Sequence, residues 1–454
     1  MRTLIIGLAS TITVVSCTSH DVIVGTLQDV TTLKAIPNRE LDVLFVIDNS
    51  PSMAEEQASL ARNFPRMIDV LQTLDDGLPD LHIGVITSDM GTSGASGTAP
   101  AAPIGNGPGA CQSFGDNGRL VPGAQVTDRF ISDVSDGHGG RTVNYSGALR
   151  DAFASVALVG DQGCGFEQHL HAMRTALDNN PLNAGFLRPE ANLAVVILAD
   201  EDDCSASDPT FFDPSGSTLG PLQSFRCFRF GVQCLPDDPT NPGVKSGCAP
   251  RVPATYISDV QPFTDFLITL KGDPRKVMVA GIVGDPAPVA VALASPPGGG
   301  SPIPVLQASC VFTGTNGTQT ADPGVRIATF LDGFPGRSKR TSICDPDLTG
   351  ALAEIGHSTK QLVGDPCLDT TNLADSSSAP GIQPACEVVD IRDSAPDAPT
   401  SLPPCVAGAT DCFEIVNDAA ACPATADHTR VRMHRAAAVS DDTWTHVRCQ
   451  LANP

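Results

Sequence analysis

Asp48, Ser50 and Ser52 occupy alternate positions in the segment Ile47-Asp-Asn-Ser-Pro-Ser-Met53, directly after an apolar run at 43–47. One carboxylate and two hydroxyls are hard oxygen donors, suited to Mg²⁺, Mn²⁺ or Ca²⁺ rather than to zinc. The run before them is β-branched and aromatic, as in a strand covered on both faces, so the donors fall at a strand's mouth. Asp and Ser also cap helices, and a helix is expected just after the motif. A second acidic group, Asp200-Glu201-Asp202-Asp203, follows the most apolar stretch of the chain, 193–199. Asp200 stands at that strand's carboxyl end, with Asp202 and Asp203 near enough to compete for its role.

The elements that must hold these residues follow from periodicity. Leu60, Phe64, Met67, Ile68, Leu71 and Leu74 recur at helical spacing, predicting a helix over about 53–75 with a kink, or two abutting helices, at Pro65. Further strands are expected at 81–87 and 276–283. Helices are expected at 149–158, 167–177, 260–270, near Ala328 and at 347–362. Strands alternating with helices indicate an α/β sheet. Stretches rich in Gly, Pro and Ser at about 88–140, 204–256 and 284–324 are too long for ordinary connections and read as insertions. Residues 365–454 carry six Cys and only short apolar runs, which predicts a small Cys-rich C-terminal region, mostly β or irregular, held by disulfides.

Strand, Asp-x-Ser-x-Ser and helix together resemble the metal-ion-dependent adhesion site of von Willebrand factor type A domains. The resemblance covers approximately 41–364. It implies a doubly wound, mostly parallel sheet flanked by helices, with a divalent cation above the carboxyl ends of the strands. It implies that Ser50 and Ser52 bind the cation directly, that Asp48 acts through water, and that Asp200 is the family's second aspartate. The family adds a loop Thr. Here that loop reads Gly163-Cys-Gly-Phe-Glu167 and has no Thr. Glu167 either supplies an oxygen in its place or favours the amino end of the next helix through the helix dipole. Cys164 and Cys204 flank the two loops and are expected to pair. The implied ion is Mg²⁺ or Mn²⁺ before Ca²⁺, and the implied partner is a protein offering an Asp or Glu carboxylate.

Residues 1–16 read as a lipoprotein signal peptide: Arg2, an apolar stretch, then Val14-Val-Ser-Cys17. Cys17 would be acylated, and 17–40 would tether the domain to a membrane. By resemblance to sorting in enteric bacteria, Thr18 favours the outer membrane of a Gram-negative cell. Fourteen further Cys, an even number without Cys-x-x-Cys spacing, suit disulfides in an oxidising compartment. A net charge of −23 repels nucleic acid. No His-Glu-x-x-His, Gly-x-Ser-x-Gly or P-loop is present, so an enzyme is not expected. The pair His169-x-His171 faces two directions on a helix and reads as surface histidine. The sequence thus points to a lipid-anchored envelope protein that binds a partner protein through a cation. The alternatives are a structural or assembly component whose metal site is vestigial or only stabilising, and a hydrolase with its site in the insertions.

Overall fold

The computed structural model describes residues 28–452, except 36–37, 75–76, 96–98, 216–217, 297–298, 315–316, 365–366, 379–380 and a few positions between 408 and 441. The expected signal peptide, Cys17 and the first part of the tether lie outside the described residues. The chain runs through β1 (Gln28–Lys34), β2 (Glu40–Ile47), α1 (Ala54–Leu71), β3 (Asp80–Thr87), β4 (Ile131–Ser135) and β5 (Arg141–Val143). Helices α2 (Leu149–Ala157) and α3 (His169–Leu177) lead to β6 (Asn192–Ala199). Next come α4 (Phe225–Gly231), β7 (Val232–Leu235), β8 (Gly243–Pro250), α5 (Gln261–Leu270) and β9 (Val277–Val283). Hairpins β10 (Val289–Ala294) with β11 (Ile303–Leu306) and β12 (Cys310–Gly314) with β13 (Gly317–Ala321) precede α6 (Val325–Asp332), β14 (Ser338–Ser342) and α7 (Thr349–Leu362). Then follow β15 (Cys386–Arg392), β16 (Ala395–Leu402), β17 (Cys412–Asn417), β18 (Thr429–His434) and β19 (Thr443–Gln450).

Seven strands form one sheet in the order β14-β9-β6-β2-β3-β4-β5. Neighbours from β14 to β3 pair in parallel, while β4 and β5 return antiparallel. Successive strand residues point to opposite faces, which splits the core in two. Val43, Phe45 and Ile47 pack under α1, α2 and α7; Leu44 and Val46 pack under α3, α5 and α6. From β2 the chain moves to β3 on one side, yet β6 lies on the other. The carboxyl ends of β2 and β6 therefore border the crevice where the sheet changes its direction of growth, the usual ligand position in open sheets.

The expectation of a doubly wound, mostly parallel α/β architecture is not met. The fold is mixed: the other sheets among the described residues are two of four strands and two of two strands, each antiparallel throughout. The cause is burial. Only the central strands carry apolar runs that survive coverage on both faces. Segments such as β8 and β16 are exposed along most of their length, and such half-wet segments pair as hairpins. Much of the stretches read as insertions is therefore regular antiparallel structure.

Two local expectations also change. Residues 28–34, assigned to the tether, form β1, which pairs along its length with β19, more than four hundred residues away. Its alternation is too polar to mark an edge strand locally: Val30 is exposed and Leu33 buried. Helix α1 continues through Pro65 without a break. The described Cys form seven disulfides, and the C-terminal region holds Cys367–Cys422, Cys386–Cys449 and Cys405–Cys412. Among the described residues no helix is long and apolar enough to cross a membrane.

Candidate functional site

Parallel pairing carries on one residue past β2, where the Asp48 amide donates to the Leu198 carbonyl at 2.9 Å. This fixes Asp48 at the mouth of the strand with its side chain fully buried. Oδ1 accepts from the Ser50 amide at 2.7 Å and, at 3.5 Å, from the Ser88 hydroxyl. Oδ2 has no hydrogen-bond partner; its nearest basic neighbour is His169 Nε2, 3.7 Å away. The Ser50 and Ser52 hydroxyls lie 3.2 Å apart, Ser50 buried and Ser52 exposed. The Ser52 hydroxyl also favours the charged form of Asp200, whose Oδ1 is buried without a partner. The structure thus brings Asp48, Ser50, Ser52 and Asp200 together.

Two cross-braces hold the loops. Gln57 Nε2 donates to the Asp48 carbonyl at 2.9 Å and to the Gly160 carbonyl at 2.8 Å, joining the first loop to the third. The Gly163 amide donates to the Asn49 carbonyl at 2.8 Å. A Cβ at position 163 would run into the Asn49 side chain, so only glycine allows this approach.

Glu167 lies in the third loop, one residue before the Gln168 N-cap of α3, and its carboxyl turns inward toward Glu201 and Asp48. Neither of its oxygens meets a fixed donor, and the neighbouring carboxyl of Glu201 is the group it shares a proton with. The first-turn amides of α3 are capped from elsewhere: Leu170 by Asp203 Oδ1 at 3.0 Å, and His171 by Ser205 Oγ at 3.0 Å. Glu167 thus accepts from neither of these amides, and its carboxyl faces the acidic groups of the site. The expected Cys164–Cys204 pair does not form either. Cys164 joins Cys111 and Cys204 joins Cys227, because each cysteine faces the insertion beside its own loop rather than the crevice between them.

The acidic run after β6 divides its labour. Asp202 accepts from the Arg326 and Ile327 amides, capping α6. Asp203 is fully buried against Arg326, 2.9 Å away. Glu201, which the sequence reading passed over, joins the site. Burial, then the charges of Asp322 and Asp48, push its carboxyl up to about 8. Burial and the charges of Asp48 and Glu201 raise Asp200 well above the carboxylate range, and burial with Glu201 and Asp48 does the same to Glu167. Burial alone lifts Asp322 to about 6. Each shift means that the fold resists this much unpaired negative charge.

Histidine 169 was read as a surface residue but is fully buried, with both ring nitrogens unpartnered. Only its spacing from the Gly163 loop could have hinted at this. His171 is buried as well, on different partners. Beside the carboxyls a cleft of about 490 Å³ opens between Glu201 and Asp322 and the apolar side chains of Phe166, Phe225, Phe228 and Leu306. Its walls come from all three insertions.

Among the described residues no three His, Cys, Asp or Glu side chains converge tightly enough to hold a metal by themselves. An ion here would have to take hydroxyl and water oxygens as well. The donor set fits that demand: unpartnered buried oxygens on Asp48 and Asp200 face two adjacent hydroxyls.

No protein-family model matches the sequence, and no curated protein matches it. Among solved structures, the pilus adhesin SpaC of Lactobacillus rhamnosus GG, in an open conformation, superposes with a TM-score of 0.29 at 10% identity, over 92% of this chain and 39% of that one. The pilus adhesin RrgA of Streptococcus pneumoniae gives 0.30 at 11% identity, over 93% of this chain and 57% of that one. The chain therefore spans well under two thirds of either adhesin. Likeness this loose carries no argument about fold or role.

Proposed function

We propose that this is a cell-surface binding protein that engages a partner's Asp or Glu carboxylate through a divalent cation held at the β2/β6 crevice. Asp48, Ser50, Ser52 and Asp200 would hold the ion, as in the adhesion site that the motif resembles, with Glu167 beside them. Bound among neutral hydroxyls, such an ion keeps part of its charge uncompensated and so attracts an anionic ligand. The observation that carries this reading is the pair of buried, unpartnered oxygens, Asp48 Oδ2 and Asp200 Oδ1, set against the Ser50–Ser52 hydroxyl pair. The cleft walled by the insertions would supply partner specificity, as loops on a rigid scaffold commonly do. Lipid attachment at Cys17 and an outer-membrane location belong to the same proposal, tested by palmitate labelling of Cys17→Ala.

The deciding experiment is calorimetric titration of Mg²⁺, Mn²⁺ and Ca²⁺ into the protein and into Asp48→Ala. Binding to the first and not the second is expected; identical isotherms would overturn the reading. A second reading, a purely stabilising ion, is favoured by the like-charge strain among Glu167, Asp200 and Glu201. It predicts a cation-dependent rise in melting temperature with no cation-dependent capture of any carboxylate ligand.

A further inference from the structure

His171 lies two residues beyond His169 on α3, so its ring leaves the helix on another side, toward a cavity of about 580 Å³. Gln168 fixes the protonation of that ring. The Gln168 Nε2 amide donates to the Ser93 carbonyl at 3.1 Å, and Gln168 Oε1 accepts from the Ala206 amide at 3.0 Å, so its orientation has no freedom. His171 Nδ1 lies 3.0 Å from that same Oε1, which can only accept. Nδ1 therefore carries the proton and Nε2 the lone pair. Ser258 Oγ lies 3.2 Å from Nε2 and must be the donor.

Ser258 is held from both sides. Its amide donates to the Ser205 carbonyl at 2.8 Å, and its carbonyl accepts from the Arg326 guanidinium at 2.8 Å. Ser258 and His171 both line the cavity, with Met90, Phe114, Phe263 and Arg174. Burial keeps the imidazole neutral and its lone pair available. A serine hydroxyl donating to an imidazole whose other nitrogen is tethered by a third group is the arrangement of an activated nucleophile, met here in a chain with no nucleophile motif.

We propose that Ser258 is an acylatable nucleophile, with His171 as its general base, in a cavity that accepts a carboxylic ester. Ser258 Oγ bonds to the ester carbonyl carbon while His171 Nε2 takes the hydroxyl proton. The carbon–oxygen bond to the leaving alcohol then breaks, and that oxygen receives the proton from Nε2. Water then bonds to the acyl carbon while Nε2 takes its proton, the carbon–Oγ bond breaks, and Nε2 returns that proton to Oγ, releasing the acid and restoring the serine. The cavity carries Arg174 but also the carboxylates of Asp178 and Asp259, and Pro262 removes an amide from the first turn of α5, so little stabilises the negative charge that develops on the carbonyl oxygen. Gln168 orients the ring and carries no charge to stabilise the imidazolium, so the site is a slow one.

The test is labelling of the full-length protein with an alkyl fluorophosphonate, followed by peptide mapping, alongside hydrolysis of p-nitrophenyl acetate. One adduct on Ser258 is expected, absent in Ser258→Ala and formed about a hundredfold more slowly in His171→Gln, the scale of losing a general base. Gln168→Glu, which places a carboxylate behind the ring, should speed labelling about tenfold. Chelation of divalent cations should leave the rate unchanged, which separates this inference from the cation reading. A hydrogen bond that is only structural gives no adduct on Ser258. That result, or equal labelling rates in the wild type and a folded His171→Gln, overturns the proposal.

Discussion

Asp42 and Asp48 stand near opposite ends of the same strand, both fully buried, and their surroundings could hardly differ more. Asp42 accepts from the Arg188 amide and guanidinium, each at 2.8 Å, and from Lys271 Nζ at 3.5 Å, with His82 3.8 Å away. Asp48 has one oxygen satisfied and one bare, and its charged neighbours are chiefly further carboxyls. The amino end of the sheet is thus closed by charge compensation within the chain. The carboxyl end has no such cationic clamp: only the His169 ring approaches Asp48, and the carboxyls around it hold protons instead. Burial of an acid says little by itself; what distinguishes structure from function here is whether the fold supplies the counter-charge.

The largest effect should come from breaking the compensated end. Asp42→Ala strands Arg188 and Lys271 and should cost about 3–5 kcal/mol in urea denaturation, with or without cation. Asp48→Ala, measured in chelator, should cost far less. Its signature is a missing gain: wild type at a hundred times the cation's dissociation constant should be stabilised by about 2.7 kcal/mol, and the variant not at all.

Proton linkage sharpens the contrast. Glu167, Asp200 and Glu201 keep protons in the fold that the unfolded chain has already released. The folded state then binds more protons, so stability falls as pH rises from the ordinary Glu value of 4.5 through about 8. Melting curves in chelator should show that decline, and saturating Mg²⁺ should flatten it. An unchanged slope with cation would detach these carboxyls from the site. The smallest effect belongs to Glu167→Gln, which removes a group the fold must keep protonated above the ordinary Glu range and should stabilise the cation-free protein there by about 1 kcal/mol, the worth of roughly one pKa unit.

The sequence made Asp48, Ser50, Ser52 and Asp200 legible because each follows or closely trails a strand apolar enough to be recognised alone. Glu201 was visible only as one of four acids, and nothing local separates it from Asp202, whose task is set by amides at 326 and 327. His169 was missed for a similar reason, since its burial depends on a loop and a strand far away in the chain. The antiparallel sheets escaped because their strands are short and half exposed, and β1 because its ladder partner lies at 444–450. Cys164 and Cys204 lie near each other along the site loops, yet their partners Cys111 and Cys227 approach through insertions whose paths no periodicity reveals.

The β1–β19 ladder has a mechanical consequence. Seven consecutive residue pairs, Gln28↔Gln450 to Lys34↔Trp444, tie the segment that leads into β2, and the Cys386–Cys449 disulfide clamps β19 to β15 behind it. Arg275, just ahead of β9, stacks on Trp444 and pairs with Asp393, so this clamp grips the end of the central sheet opposite the Asp48 crevice. A pull directed along β1 would load that ladder lengthwise. Its rungs would have to shear together rather than open one by one, a geometry built to carry tension.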